Sequence, residues 1–226
     1  HKALACDPQS ASGGIIACSG VVDDAAANVM KDHFIEVLVA PGFSDGALEI
    51  LKEKKNRILL CCRDDSWGLS PGAPVLRGVP AGLLAQSPDD AADDPSTFKV
   101  VTERSPTEKE MAAMLFGWSM VRYVKSNAIV YSASDCLLGV GAGQMSRVDA
   151  VKIAAIKAAE AGLDLAGSAV ASDAFFPFAD GLIAAADAGA TAVVQPGGSV
   201  RDEEVISAAN EKGLAMLFTG HRHFRH

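Results

Sequence analysis

The sequence has no long apolar run, no excess of basic residues and no zinc-type spacing of cysteines. Its longest uncharged stretch, Pro8 to Val22, is about 15 residues and contains three glycines, whereas a membrane-spanning helix needs roughly 20 apolar residues. The net charge of −8 excludes a broad basic surface for nucleic acid or anionic lipid. We therefore expect neither a membrane span nor a nucleic-acid partner.

A Cys-x-x-Cys pair is the usual sign of a structural zinc site or a redox motif. The five cysteines form no such pair. We predict that they are reduced and that the protein is cytoplasmic. Cys61 and Cys62 end the apolar run 58–60. We interpret them as small buried thiols on a strand rather than as redox groups.

What the sequence does contain is typical of an α/β protein. Two segments, 37–62 and 192–218, each have an apolar run, a Pro-Gly turn, a serine, an amphipathic stretch and a second apolar run. This order predicts a strand, a helix capped by the serine and a neighbouring strand, repeated by internal duplication. The halves are about 1–64 and 101–226, and the Pro-, Gly- and Asp-rich segment 65–100 is predicted to be an irregular connection.

Two helix starts are marked by capping residues. Thr107 with Glu110 and Ser146 with Asp149 have the spacing of capping boxes, and the second predicts a helix from Arg147 to about Ala161. The first helix carries a stripe at helical spacing, which we interpret as core: Met111, Met114, Leu115, Trp118 and Val121.

The glycine-rich stretch 139–147 precedes the second of these helices. Free amides at a helix N-terminus favour an anion, but the spacing is neither that of a dinucleotide fingerprint nor that of a Walker loop. A tight strand-to-helix turn is the simpler interpretation, and Arg147 in the first turn favours a ligand site. Asn127 can bind an amide or a formyl group, although its spacing alone does not decide this.

The segment 172–181 places three phenylalanines between Asp173 and Asp180. Such a segment suits a flat heterocycle, which would stack on the rings and donate its N–H groups to a carboxylate. A packed loop with Asp180 beginning the next helix explains the same pattern equally well.

The C-terminal residues 219–226 are open to two interpretations. They form a solvated tail, or Arg222 and Arg225 hold a phosphate or carboxylate. Their histidines share no metal-ligand spacing with a carboxylate or cysteine. We therefore expect no zinc.

Eight motifs occur in a fixed order: DPQSASGG at 7–14, IEV at 35–37, APGF at 40–43, KSNA at 125–128, GAGQMSRV at 141–148, SDAFFPF at 172–178, QPGGS at 195–199 and RHFRH at 222–226. Together they resemble the formyltransferase region of the phosphoribosylaminoimidazolecarboxamide (AICAR) formyltransferase/IMP cyclohydrolase family, over nearly the whole chain. The resemblance implies transfer of a formyl group from 10-formyltetrahydrofolate to the 5-amino group of AICAR in purine biosynthesis. It also implies two tandem cytidine-deaminase-like three-layer α/β/α units and a homodimer.

The resemblance also assigns roles to individual residues. The positions implied for the nucleotide are Gly13, Glu36, Asn127, Phe175, Pro177 and Arg222, with Asn127 at the reacting group. Those implied for the folate are Ser146, Arg147, Val148, Phe175 and Asp180. A potassium ion is implied beside Ser126 and Asp173.

One family feature is not found in these 226 residues. The resemblance implies a Lys-His dipeptide for proton transfer and oxyanion contact, and the sequence contains none; His1-Lys2 has the reverse order. By motif order we expect that dipeptide, and the cyclohydrolase domain, upstream of His1. An alternative is a homologue that binds nucleotide or folate without turnover. A deaminase-type zinc enzyme is disfavoured because the His/Cys-x-x-Cys signature is missing.

Overall fold

The structure, a computed structural model, describes residues 1–62, 72–90 and 92–226. The chain divides into two compact units. The first unit comprises His1 and Pro8–Asp90, and the second comprises Lys2–Asp7 and Ala91–His226.

Within the described residues the helices are α1 (Lys2–Ala5), α2 (Asp24–Met30), α3 (Asp45–Lys52), α4 (Glu108–Val121), α5 (Arg147–Glu160), α6 (Ala179–Asp187) and α7 (Asp202–Glu211), with a 3-10 turn at Pro95–Thr97. The strands are β1 (Gly14–Ala17), β2 (Ile35–Ala40), β3 (Ile58–Cys61), β4 (Val75–Val79), β5 (Gly82–Gln86), β6 (Lys99–Val100), β7 (Ile129–Ser132), β8 (Leu137–Gly141), β9 (Ala169–Ser172), β10 (Ala192–Gln195) and β11 (Ala215–Phe218). None of the helices in the described ranges is long and apolar enough to cross a membrane.

The first unit is built on a parallel sheet of β1, β2 and β3, in that order. Helices α2 and α3 pack against it in one hydrophobic cluster that includes Leu38 and Leu51. Ile15 and Leu60 remain exposed, at 72% and 48% of their surface. The described helices of this unit therefore cover one face of the sheet.

Two expectations for this unit are wrong. Cys61 and Cys62 are exposed rather than buried, because β3 is an edge strand of a sheet covered on one face. The connection is also not irregular throughout. Strands β4 and β5 pair as an antiparallel hairpin, because two apolar runs are separated by a two-residue turn.

The second unit is built on a six-stranded sheet in the order β6-β11-β10-β9-β7-β8. Strands β9, β10 and β11 are parallel, whereas β7 runs antiparallel to β8 and β9. Helix α4 packs on one face through Trp118 and Met114, and α5, α6 and α7 pack on the other. This unit has three layers, and the mixed α/β class predicted from the sequence is confirmed.

The local helix signals are largely confirmed. Thr107 and Glu110 form a complete capping box at α4, and Ser146 caps α5. Ser44 caps α3, but the corresponding Ser199 does not cap α7. The Asp202 carboxylate instead accepts from the amides of residues 198 and 199, so a carboxylate binds the free amides at that turn.

Candidate functional site

A pocket of about 460 Å³ lies beside one edge of the six-stranded sheet. That edge carries the carboxyl ends of β8, β9 and β11 and the amino end of β7, because β7 alone among these strands runs the other way. Segments that are distant in sequence therefore meet there. The pocket is lined by Asn127, Met145, Ser146, Arg147, Val148, Ala174, Phe175, Phe176, Pro177, Phe178, Asp180, Arg222 and Phe224.

This lining contains most of the residues singled out from the sequence. The nucleotide and folate positions brought together here are Asn127, Ser146, Arg147, Val148, Phe175, Pro177, Asp180 and Arg222. Ser126 and Asp173 are buried beside Arg147 and Asn127. Gly13 and Glu36 belong to the first unit.

A buried ion pair joins the start of α5 to the loop between β9 and α6. Nη1 of Arg147 donates to Oδ1 of Asp173 at 2.5 Å and to the Ser172 hydroxyl at 2.7 Å. The side chains of Arg147 and Asp173 are 6% and 0% exposed. Because a buried pair of this kind is strongly destabilised when one partner is removed, Arg147 serves the framework of the pocket rather than acting as a free cation.

Asn127 is oriented by three hydrogen bonds. Its Nδ2 donates to the carbonyl oxygens of Gln144 at 3.0 Å and Met145 at 3.2 Å. Its Oδ1 accepts from Nη2 of Arg147 at 3.2 Å. A carbonyl oxygen has two acceptor positions, so Oδ1 can still accept one N–H from a ligand.

The glycine-rich turn is explained by packing. A Cβ at Gly141 would lie 1.9 Å from the carbonyl oxygen of Ala150, and one at Gly139 would lie 2.3 Å from that of Ala154. These glycines therefore let α5 lie directly on β8. The Ser146 hydroxyl accepts from the Asp149 amide at 3.1 Å, so it caps the helix at the rim of the pocket.

The remaining lining combines aromatic rings with two exposed charges. Phe175 and Phe178 border the pocket on the β9–α6 loop, and Asp180 follows in the first turn of α6. The Arg222 guanidinium lies 4.7 Å from the centre of the Phe224 ring, and among the described residues it has no carboxylate partner. The pocket therefore offers flat apolar walls, the exposed Asp180 carboxylate, whose Oδ1 accepts from the Gly181 amide at 2.7 Å, and the Arg222 guanidinium.

The C-terminal segment is anchored rather than a free tail. The Ser126 amide donates to the Arg225 carbonyl at 2.9 Å, and the Arg225 amide donates to the Ser126 hydroxyl at 3.0 Å. The His223 amide donates to the Asp173 carbonyl at 2.8 Å. These bonds hold Arg222 at the pocket, whereas the Arg225 side chain does not line it.

Comparison with protein-family models matches residues 1–157 to the AICARFT/IMPCHase bienzyme family. The match covers more than half of the chain. The chain belongs to this family. Membership of the AICARFT/IMPCHase family places it among enzymes of purine biosynthesis, which confirms the family predicted from the sequence motifs.

The AICARFT/IMPCHase match includes Asn127 and the residues 146–148 and ends before the β9–α6 loop. The Arg147–Asp173 ion pair connects the matched part to that loop, and the bonds between Ser126 and Arg225 connect it to the C-terminal segment. Residues inside and outside the matched range therefore form one connected pocket.

Several pocket residues were not singled out as site residues from the sequence. Met145, which is 95% exposed, and Phe224 both line the pocket. Phe224 was foreseeable, because residues two apart in an extended segment lie on the same side and Arg222 was already a candidate. The side chain of Gln195 was missed too: it is fully buried and accepts from the Phe176 amide at 2.9 Å, which positions the aromatic loop.

In the first unit, Gly13 and Glu36 lie side by side. Gly13 has a φ of +76°, and a Cβ there would lie 3.4 Å from the Phe34 ring and 3.9 Å from Oε1 of Glu36. A side chain at position 13 would therefore be strained. The role of these two residues in nucleotide binding stays a prediction.

The potassium ion expected beside Ser126 and Asp173 also stays a prediction. The Ser126 hydroxyl donates to Oδ2 of Asp173 at 2.5 Å, while Oδ1 is paired with Arg147. Each oxygen of the carboxylate therefore already has one partner, and its charge is balanced by Arg147. We assign no step to a cation there.

Proposed function

We propose that this chain takes part in formyl transfer from 10-formyltetrahydrofolate to the 5-amino group of AICAR. The observation that carries the proposal is the pocket of the second unit, where residues of the family match lie together with the aromatic loop and the C-terminal arginine. Both substrates contain flat heterocycles, and AICAR also carries a phosphate.

The lining suits these groups chemically. Phe175 and Phe178 offer ring faces for stacking, and the exposed carboxylate of Asp180, whose Oδ1 accepts from the Gly181 amide, has acceptor positions left for the N–H groups of a pterin. The Arg222 guanidinium presents a planar set of donors that matches a phosphate or carboxylate. Since Arg147 is neutralised by Asp173, Arg222 is the cation available to the nucleotide.

Asn127 has the geometry to orient the reacting amine. Its Oδ1, held by Arg147, can accept one N–H of the 5-amino group and so direct the nitrogen lone pair toward the formyl carbon. An amine conjugated to a carboxamide is a poor nucleophile, which makes this orientation valuable. The proton acceptor and the oxyanion donor of the reaction are not assigned to residues of this chain, because the Lys-His dipeptide is not among them.

The proposal includes the finer architecture and assembly implied by the family resemblance. We propose that the two α/β units are cytidine-deaminase-like repeats, with halves about 1–64 and 101–226. We also propose that the protein is a cytoplasmic homodimer. The parallel crossover repeats β2–α3–β3 and β10–α7–β11 support the duplication. A catalytically silent homologue that binds nucleotide or folate is the second candidate, because the Lys-His dipeptide is not among these 226 residues.

The test combines calorimetric titration of AICAR and a folate analogue into the full chain with a formyl-transfer assay, run with and without an upstream segment that carries the Lys-His dipeptide. Asn127→Ala should lower turnover by about 100-fold or more, as loss of a positioned active-site amide typically does. Asn56→Ala, an exposed asparagine of the first unit, is the matched control and should leave turnover unchanged. If Asn127→Ala lowers the melting temperature so far that unfolding accounts for the lost turnover, the assigned role is contradicted.

Arg222→Ala should weaken AICAR binding by about tenfold or more, since it removes a charge-assisted contact, while Arg225→Ala should not. Turnover that appears only when the upstream segment is added would support formyl transfer, whereas binding without such rescue would favour the silent homologue. Absence of binding to either ligand would refute both functions.

A further inference from the structure

A second cluster of polar side chains lies on the other side of the C-terminal segment. His221 and His223 alternate with Arg222 and Phe224 along this extended stretch. Arg222 and Phe224 line the pocket, whereas both histidines pack against the Trp118 ring, with ring centres 5.6 and 4.4 Å away. The histidine face is therefore distinct from the ligand pocket.

Both histidines face one oxygen of Asp93. Nε2 of His221 lies 2.6 Å from Oδ1 of Asp93, and Nε2 of His223 lies 3.7 Å from the same atom. The other oxygen, Oδ2, lies 3.8 Å from Nη1 of Arg122. One ligand atom from each of the three residues lies within 4.8 Å of the others.

The third donor is a carboxylate in a largely enclosed position, because the side chain of Asp93 is 15% exposed. A carboxylate beside two imidazole nitrogens is a donor set that binds divalent transition metals.

Both ring nitrogens of His221 lie near acceptor oxygens. Nδ1 lies 3.2 Å from the carbonyl oxygen of Thr219, and Nε2 lies 2.6 Å from Oδ1 of Asp93. In the tautomer that has its hydrogen on Nδ1 and donates to Thr219, the lone pair of Nε2 faces the carboxylate, which is the arrangement of a metal-binding histidine.

We propose that Asp93, His221 and His223 form a binding site for a divalent transition metal ion, with Zn²⁺ as the best fit. Zinc takes two imidazoles and a carboxylate in a tetrahedral arrangement with a fourth ligand such as water. Bond lengths of 2.0–2.2 Å place neighbouring ligand atoms roughly 3.4 Å apart, and the observed 2.6 and 3.7 Å bracket that spacing.

The site has both an enclosed and an open side. His223 is fully buried, whereas the side chain of His221 is 43% exposed, so an ion can enter past His221. Bound there, the ion would tie the C-terminal segment to the residues before α4 and hold Arg222 and Phe224 at the pocket. The role is structural and does not depend on the reaction that the pocket performs.

This site departs from the expectation of no zinc. That expectation rested on spacing along the chain, where no carboxylate or cysteine lies near the terminal histidines. The fold supplies the carboxylate from Asp93, which precedes His221 by 128 positions. Spacing along the chain does not reveal ligands contributed by distant segments.

The test starts from the full chain stripped of metal by a chelator and titrated with Zn²⁺ and with Co²⁺. We expect one ion per chain by calorimetry, Co²⁺ absorption bands typical of four- or five-coordinate geometry, and a melting temperature that rises on adding Zn²⁺. In a Trp67→Phe background, Co²⁺ should quench the fluorescence of Trp118, because both histidines contact that ring.

Asp93→Asn and His221→Gln should each lower metal affinity by at least about tenfold, since each removes a donor. The matched controls are Asp94→Asn, whose asparagine can still cap the 3-10 turn, and His33→Gln; both should bind as wild type. Melting curves of the stripped variants establish that they are folded. Absence of uptake by the wild-type chain, or equal affinity in Asp93→Asn and Asp94→Asn, would overturn the site.

Discussion

The two crossover repeats, β2–α3–β3 and β10–α7–β11, share an order of elements but differ in what surrounds them. In each, a helix joins two parallel strands after a Pro-Gly turn. The registers make Leu60 and Leu217 equivalent, because they pair with Val39 and Val194 in the same places. Leu60 is 48% exposed and Leu217 is 1% exposed.

The difference lies in the layers that cover each sheet. The sheet of the second unit lies between α4 and the group α5–α7, so β10 is buried along its whole length. In the first unit the described helices cover one face, and the residues of β3 are mostly exposed. The burial of a strand thus depends on the number of covering layers as well as on its own sequence.

The largest expected effect is on this leucine pair. Leu217→Ala should lower the free energy of unfolding by about 3 kcal/mol, because it leaves a cavity in a sheet packed on both faces. Leu60→Ala should cost about 1 kcal/mol or less, because half of that side chain already contacts solvent. Urea denaturation followed by circular dichroism measures both.

A cost for Leu60→Ala as large as that for Leu217→Ala would break the comparison. It would show that the exposed face of the first sheet is covered in solution.

The second effect concerns the two Pro-Gly turns, where Gly42 and Gly197 are equivalent. Gly197 has a φ of +70°, and a Cβ there would lie 2.3 Å from the Phe218 ring; at Gly42 it would lie 3.6 Å from Val21 in ordinary contact. Gly197→Ala should therefore cost about 2 kcal/mol, and Gly42→Ala should stay within about 0.5 kcal/mol of wild type.

Thermal melts of the two alanine variants sharpen the comparison, because both change the same residue type in the same motif. Equal melting temperatures would mean that Phe218 moves aside without cost and that the turns are equivalent.

Much of the fold was predictable because its signals are local. The capping box of Thr107 and Glu110 and the crossover repeats are set by residues a few positions apart. The exposure of Cys61 was not predictable, since it depends on which layers cover a sheet. The β4–β5 hairpin had a local signal, two apolar runs separated by two residues, which the surrounding Pro, Gly and Asp residues obscured.

The site was predictable where motifs carried it and not where the fold assembled it. Asn127, Arg147 and Arg222 belong to motifs of the family, and all three line one pocket. The burial of Arg147 against Asp173 was not foreseen, because it depends on the antiparallel pairing that brings the start of α5 beside the end of β9. The contact between Asp93 and His221 was also missed, because it joins segments 128 positions apart.

The smallest expected effect concerns the ion pair that holds α4 in place. Helix α4 forms the second covering layer, which the first unit lacks among its described residues. The Arg104 guanidinium, bonded to both carboxylate oxygens, holds the pKa of Glu110 at about 2 against the opposing effect of burial. In the unfolded chain this carboxyl has an ordinary pKa near 4.3. Glu110 therefore stabilises the folded state fully above that pH, and the contribution is lost as the pH falls toward 2.

Glu110→Gln should cost about 1.5 kcal/mol at pH 7, less than the pKa shift alone implies. The Arg104 side chain is 37% exposed, so solvent screens the ion pair, and glutamine can keep the capping bonds. The deficit relative to wild type should shrink between pH 5 and pH 2, as measured by urea denaturation across that range. Glu108→Gln, an exposed acid in the same first turn, should show no such pH dependence. A deficit that stays constant down to pH 2 would mean that Glu110 acts through packing, and that the ion pair does not hold α4 on the sheet.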